Sequence, residues 1–362
     1  MPEIFLNWGT GTCDHHLEIT PMKTGIVGYQ GSGKSTLFEW LTGEPSDPAL
    51  AHTIQSAMVP IPEAHVDGLC AIYQPKKITM AALEIVDTPG LSRSHEGSAQ
   101  KLALIREAGC LVIVVAGFAG NDAAADLTSF EDDLLLADLD LVARRIERIE
   151  EQLKKARANR EELSEELAAL EPLRDVLENG EALRGLELTP VQQRLIRAFQ
   201  LLSNKPRLVV INVSEDEADP EKYRELVPAE TPLLTIPLDL ERELSQMEAS
   251  ERTSFYEEMG LTPNDPQRLV RVMMETSGQM LFFTAGDKEV RTWLIPRGST
   301  ALDAADGIHT DLAKGFIRAE TMNVEDLIRL GSEREIKAHD LMRAEHKDYV
   351  IQDGDILLIR HN

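Results

Sequence analysis

The chain has 362 residues, 43% of them hydrophobic and 27% charged, with a formal charge of -25. That length allows two or three cores and the composition excludes a disordered or fibrous chain, while the acidic balance repels phosphate backbones, so any RNA contact has to be local. The 3 cysteines, Cys13, Cys70 and Cys110, are too scattered for a metal ribbon or a redox pair, and with no membrane-length apolar run or export signal the expectation is a cytoplasmic protein.

Residues 1–21 show no periodicity and read as an N-terminal extension ahead of Met22, where a first strand pattern opens. Cys13, Asp14, His15 and His16 carry metal-binding side chains there, but consecutive histidines in such a leader lack the neighbours that orient ligands. From Gly25, apolar runs at 26–27, 83–86, 111–116, 208–211 and 233–236 alternate with polar helical stretches, which predicts an α/β fold with a parallel sheet covered by helices on both faces.

Between the third and fourth runs, Leu135, Leu139, Val142, Ile146, Ile149, Leu153 and Ala156 keep a 4,3 spacing among many charges. The register resumes at Leu163, Leu167, Leu170 and Leu177 after the interruption at Asn159-Arg160. This predicts an antiparallel coiled-coil hairpin, with a third helix near 191–202 returning the chain, and a monomer rather than a dimer seam. A single solvated charged helix is the plainer alternative. After Ser277 the pattern becomes short strands at 280–284, 290–295, 316–319 and 356–359 between glycine-containing turns, a compact mixed sheet. The expected division is 1–21 extension, 22–130 first part of the nucleotide domain, 131–205 helical arm, 206–277 second part of the nucleotide domain, and 278–362 C-terminal domain.

Gly28-Tyr29-Gln30-Gly31-Ser32-Gly33-Lys34-Ser35-Thr36 follows a strand and precedes a helix, the context a phosphate-binding P-loop requires. The glycines let the N–H groups of Gly31, Ser32, Gly33, Lys34, Ser35 and Thr36 face the phosphates of a nucleotide; Lys34 reaches the outer phosphates and Ser35 ligates Mg²⁺. Asp87-Thr88-Pro89-Gly90 ends a second apolar strand, which puts Asp87 in the Mg²⁺ shell and the Gly90 N–H beside the terminal phosphate, with Thr53 as a candidate second metal ligand. Asn212-Val213-Ser214-Glu215 ends a third strand where Ras-type GTPases present Asn-Lys-x-Asp to guanine. With the Asp replaced, the base reader that accepts from guanine N1 and N2 is lost, whereas Asn212 could pair with adenine N6 and N7, so ATP is favoured over GTP.

These motifs, the inserted coiled coil and the strings Phe282-Phe283-Thr284-Ala285-Gly286-Asp287-Lys288-Glu289-Val290-Arg291-Thr292-Trp293, Ile308-His309-Thr310-Asp311, Gly315-Phe316-Ile317-Arg318-Ala319-Glu320 and Asp353-Gly354-Asp355 give a chain that resembles the YchF or Obg-like ATPases from about Met22 to its end. The resemblance implies a C-terminal TGS (ubiquitin-like) domain, an ATPase that also accepts GTP weakly, and association with ribosomes or other RNA-containing translation machinery. Two departures stand out. Gly31-Ser32 replaces the family's Asn-Val, removing a side chain that related enzymes use to hold a monovalent cation, so potassium stimulation is not expected, and Asp87-Thr88-Pro89-Gly90 replaces Asp-Ile-Ala-Gly, nearer the general GTPase form.

Leu91 stands where Ras-like enzymes place the water-orienting Gln, and a family His is absent from 118–127, so intrinsic hydrolysis is expected to be slow, with His95 as a weak substitute. Three readings therefore stay open: a switch ATPase that turns over slowly with Lys34 and Gly90 at the reacting phosphate, a nucleotide-binding regulatory module with negligible turnover, and a GTP-specific enzyme that reads its base with Glu215. His309 reads as a turn-satisfying residue, and Lys288, Arg291, Arg297, Lys314, Arg318 and Lys347 as a candidate RNA-facing patch interrupted by acids.

Overall fold

The computed structural model describes residues 23–45, 54–94, 98–118, 120–155, 159–215 and 219–362. The leader with its Cys13-to-His16 cluster, and Thr53, His95 and Ala156, lie outside the described residues.

The nucleotide domain runs β1 (Lys23–Val27), α1 (Lys34–Thr42), β2 (Gln55–Pro60), α2 (His65–Tyr73), β3 (Ile78–Thr79), β4 (Ala82–Asp87), α3 (Ser98–Arg106) and β5 (Cys110–Ala116), then resumes after the arm with β6 (Arg207–Asn212) and β7 (Leu233–Ile236). Its sheet has the order β2-β4-β1-β5-β6-β7, parallel except for the antiparallel edge strand β2. All of β5 is buried, as expected of a central parallel strand covered on both faces. Its residues alternate between two cores: Val112 and Val114 pack under Leu37 and Phe38 of α1, whereas Leu111, Ile113 and Val115 pack with Ile105 of α3. The period-2 geometry of a strand thus builds two cores from one run of apolar residues.

The arm consists of α4 (Ala123–Leu153), α5 (Arg160–Glu178) and the returning α6 (Pro190–Phe199). With 31 residues, α4 is about 46 Å long. Its first turns belong to the nucleotide domain, because Leu127, Phe130 and Leu134 sit in the core beneath the sheet. Farther along, Val142, Ile146 and Ile149 close against Leu163, Leu170 and Leu177 of α5. Leu135 and Leu139 keep the seam read from the sequence and pack half-buried against this arm core, while the fully buried positions at the base are Leu134 and Asp138. At the base a second stripe is covered as well, because Leu134 joins the core beneath the sheet.

After β7 come α7 (Leu238–Ser245), α8 (Ala249–Met259) and α9 (Pro266–Thr276), which leads into the C-terminal domain: β8 (Gln279–Ala285), β9 (Val290–Pro296), α10 (Ala301–Ile308), α11 (Thr310–Lys314), β10 (Phe316–Asn323), α12 (Val324–Leu330), α13 (Glu333–Ala338), β11 (Arg343–Glu345) and β12 (Asp355–His361). The sheet order β11-β10-β12-β8-β9-β3 ends on a strand donated by the nucleotide domain, with Ile78 beside Val290. One face packs Phe282, Trp293 and Leu357 against Ala301 and Ala304 of α10. The other packs Phe283 and Val290 against Val66 and Leu69 of α2. Gly68 makes this docking possible, since a Cβ there would lie 2.7 Å from Ile328 Cδ1 on α12. The C-terminal domain is therefore joined to the nucleotide domain by a shared strand as well as a shared core. Among the described residues no helix is long and apolar enough to cross a membrane.

Candidate nucleotide site

The carboxyl ends of β1, β4 and β6 bring Lys34, Asp87 and Asn212 to one rim of the sheet, with Ile26 paired to Asp87 and Ala116 to Asn212. The loop after β1 owes its path to glycines: Gly28, Gly31 and Gly33 have φ of 145°, 79° and 103°, a region that side chains disfavour. A Cβ on Gly28 would come 2.3 Å from the Val114 carbonyl oxygen, and one on Gly33 2.4 Å from Asn212 Nδ2. Gly33 opens α1, which has no side-chain cap and no acid in its first turn, so its leading N–H groups are left for an anion.

Lys34 is only 6% exposed and its Nζ donates to the Tyr29 carbonyl at 2.7 Å. Burial pushes its pKa down to about 8, Asp87 pulls it back up, and Lys101 adds to the downward push. Ser35 Oγ donates to Asp87 Oδ2 at 2.7 Å. Asp87 Oδ1 is buried and has no partner; burial raises the Asp87 pKa against the Ser35 bond and the Lys34 charge. An orphaned carboxylate oxygen beside a serine hydroxyl fits a hard divalent cation, which prefers such oxygens and would complete its shell with phosphate and water. Among the described residues no cluster of three His, Cys, Asp or Glu offers a metal site elsewhere.

Asn212 Nδ2 donates to the Ser32 carbonyl at 3.2 Å and its Oδ1 accepts the Leu238 N–H at 3.2 Å. One donor and one acceptor position of the amide are thus engaged inside the protein, and Asn212 staples the P-loop to the start of α7. Val213 is buried and Glu215 is exposed beyond it.

Leu91 is 1% exposed, its side chain in the core with Tyr29, Ile105 and Phe130. Its N–H donates to the Gly28 carbonyl at 3.1 Å and its carbonyl accepts the Gln30 N–H at 3.0 Å, zipping the segment after Gly90 onto the P-loop. A side chain is disfavoured at Gly90, because a Cβ would lie 2.9 Å from the Gln30 backbone nitrogen as well as 2.7 Å from Lys34 Nζ. Its carbonyl accepts from Lys101 Nζ at 2.8 Å, a residue no motif marked. The P-loop also reaches the arm: the Tyr29 hydroxyl donates to Asp133 at 2.8 Å, and Arg93 lies 5.2 Å from the Tyr29 ring while pairing with Asp126 at 2.6 Å. Both acids lie on α4, so the helix that forms the arm is in contact with the nucleotide loop.

In the C-terminal domain His309 Nδ1 accepts the Asp311 N–H at 3.1 Å, the turn role expected of it. The basic patch is partly spent: Arg291 stacks on Trp293, Arg318 pairs with Glu320 and Arg297 with Asp353.

A half-shell of N–H groups for an anion, set against a half-shell of oxygens for a cation at the rim of a parallel sheet, defines the P-loop nucleoside triphosphatase class. Family models narrow it: residues 23–163 match the model described as a 50S ribosome-binding GTPase, and residues 280–362 match the YchF GTPase C-terminal model, described as a protein of unknown function (DUF933). The chain is 35% identical over 357 residues to the "Ribosome-binding ATPase YchF" of Escherichia coli O157:H7, covering 92% of this chain and 98% of that protein. It is 32% identical over 366 residues to the protein of the same name from Bacillus subtilis, covering 94% of this chain and 99% of the relative. The solved structure of the Schizosaccharomyces pombe YchF GTPase superposes with a TM-score of 0.78 at 25% identity, over 94% of this chain and 97% of that one. The chain belongs to the YchF family.

Proposed function

We propose that this chain is a cytoplasmic switch ATPase that binds ATP with Mg²⁺, hydrolyses it slowly, accepts GTP weakly, and associates with the ribosome through its helical arm and its C-terminal, TGS-like domain. The observation that carries the nucleotide reading is the unpartnered Asp87 Oδ1 beside Ser35, within reach of a buried Lys34 that stands in front of an uncapped helix. The N–H groups of Gly31, Ser32, Gly33, Lys34, Ser35 and Thr36 hold the phosphates, and Lys34 neutralises the outer ones. Ser35, Asp87 and Thr53 would hold Mg²⁺, which would supply charge neutralisation at the outer phosphates. Gly90 reports the terminal phosphate, and Val213 and Glu215 flank the base while Asn212 keeps that wall in place. The names of the relatives support ATP and the ribosome for this chain.

A second reading, a nucleotide-binding module without turnover, is favoured by the burial of Leu91, which takes position 91 away from any attacking water. Calorimetry with MgATP and MgGTP, followed by single-turnover phosphate release with and without ribosomes, separates them. ATP binding with ribosome-stimulated release is expected. Binding without release in either condition establishes the second reading, and absence of binding to either nucleotide overturns both.

A further inference from the structure

Hydrolysis of a terminal phosphoanhydride needs positive charge where negative charge gathers on the transferred group. Position 91 cannot provide a polar group, and residues 118–127 contain no histidine. One side chain outside every recognised motif nevertheless reaches Gly90, the glycine assigned above to the terminal phosphate. Lys101, on α3, donates from Nζ to the Gly90 carbonyl at 2.8 Å. From the other direction Lys34 Nζ lies where a Cβ on Gly90 would be only 2.7 Å away. Two ammonium groups thus converge on one glycine.

Among the described residues the charge around that glycine is unbalanced. Asp87 is the carboxylate that acts on Lys34, and no carboxylate pairs with Lys101 among the described residues. Placing two cations together against one acid is unfavourable unless an anion joins them. An ammonium carries three donors, so Lys101 can keep the Gly90 carbonyl and still offer two to phosphate oxygens.

We propose that Lys101 is a catalytic residue of this protein, a second cationic contact to the terminal phosphate that replaces the missing water-orienting side chain as a source of transition-state stabilisation. The inference rests on the nucleotide reading of the P-loop given above. In the step it assists, water oxygen bonds to the terminal phosphorus, the bond to the bridging oxygen breaks, and the electron pair leaves on the nucleoside diphosphate. The proton from water passes to phosphate and solvent. Lys101 transfers no proton in this step; it holds oxygens of the transferred group as their charge redistributes. Its hold on Gly90 also keeps the Gly90–Leu91 peptide oriented, with the Leu91 N–H on the Gly28 carbonyl.

The test uses the full chain and the variants Lys101→Gln and Lys101→Arg. For Lys101→Gln, single-turnover release should fall by ~10²–10³, the usual loss on removing one preorganised donor. MgADP affinity should stay within about threefold of wild type, whereas affinity for MgADP with aluminium fluoride, which mimics the transferring phosphoryl, should drop by at least about tenfold. Lys101→Arg should recover most of the rate, because it keeps a fixed cation at the same reach. A merely structural lysine would lower ADP and aluminium fluoride binding together and shift the melting temperature, and that pattern overturns the proposal. So does a Lys101→Gln rate within about threefold of wild type. Wild-type protein that fails to bind MgATP would instead remove the nucleotide reading itself, a distinct outcome.

Discussion

Two buried carboxylates, one at the nucleotide loop and one at the root of the arm, separate what burial means in this molecule. Asp138 on α4 is 0% exposed, yet both oxygens are satisfied: Oδ1 accepts Arg106 Nη1 at 2.6 Å and the Leu202 N–H at 3.0 Å, and Oδ2 the Ser203 N–H at 2.7 Å. Asp87 is 6% exposed and keeps one oxygen without a partner. The first acid locks α4 and the chain returning after α6 to the end of α3; the second keeps an oxygen free beside Ser35. The lesson is that a carboxylate oxygen left unpaired beside a serine hydroxyl and a buried lysine, rather than a buried charge as such, marks the reactive end of the sheet.

The comparison is broken most severely at Asp138. Asp138→Ala leaves Arg106 and two N–H groups buried without partners, and about 3–5 kcal/mol of stability should be lost in denaturant melts. Asp87→Asn should do the reverse. Magnesium-dependent turnover should fall by ~10²–10³, while the melting temperature of the free protein holds or rises, since a carboxylate whose pKa is raised by burial no longer has to be kept ionised. Equal destabilisation of the two variants would erase the distinction.

Acidity sharpens it further. Burial lowers Lys34 from its ordinary 10.5 to about 8, so above pH 8 the free protein sheds this proton while the phosphate complex retains it. MgATP affinity should therefore weaken by about tenfold per pH unit above 8, about 1.4 kcal/mol, with proton uptake on binding visible in buffers of different ionisation enthalpy. The unfolded chain binds the extra proton between 8 and 10.5, so Lys34 contributes increasing stability to the free fold as pH rises through that window. Lys205, also lowered by burial to about 8, adds the same trend, which makes binding the cleaner measurement. The smallest effect is expected at the link between loop and arm. Tyr29→Phe removes the hydroxyl bond to Asp133 and should cost about 1 kcal/mol, leaving the ring in its edge contact with Phe130.

Some of this was readable along the chain. The strand runs at 83–86, 111–116 and 208–211 fall inside β4, β5 and β6, and the glycines of 28–33 signalled the turn that presents Lys34. These are consequences of local backbone freedom and of apolar spacing, both of which are one-dimensional properties. The seam of α4 and α5 was legible for the same reason, while the second buried stripe at the base of α4, Leu134 and Asp138, was not, because the sheet that covers Leu134 is built from distant stretches of the chain.

What the sequence by itself determined is the set of elements and the loop that turns on glycine, because φ preferences and hydrophobic period act between near neighbours. Only the tertiary structure decided which polar groups are already used: Asn212 stapled to Ser32 and Leu238, Leu91 sunk in the core, Lys101 delivered to Gly90, and β3 lent to the second sheet. Each of those outcomes depends on atoms brought together from distant stretches of chain, and a hydrogen-bonding valence is filled or left open only once those neighbours have arrived.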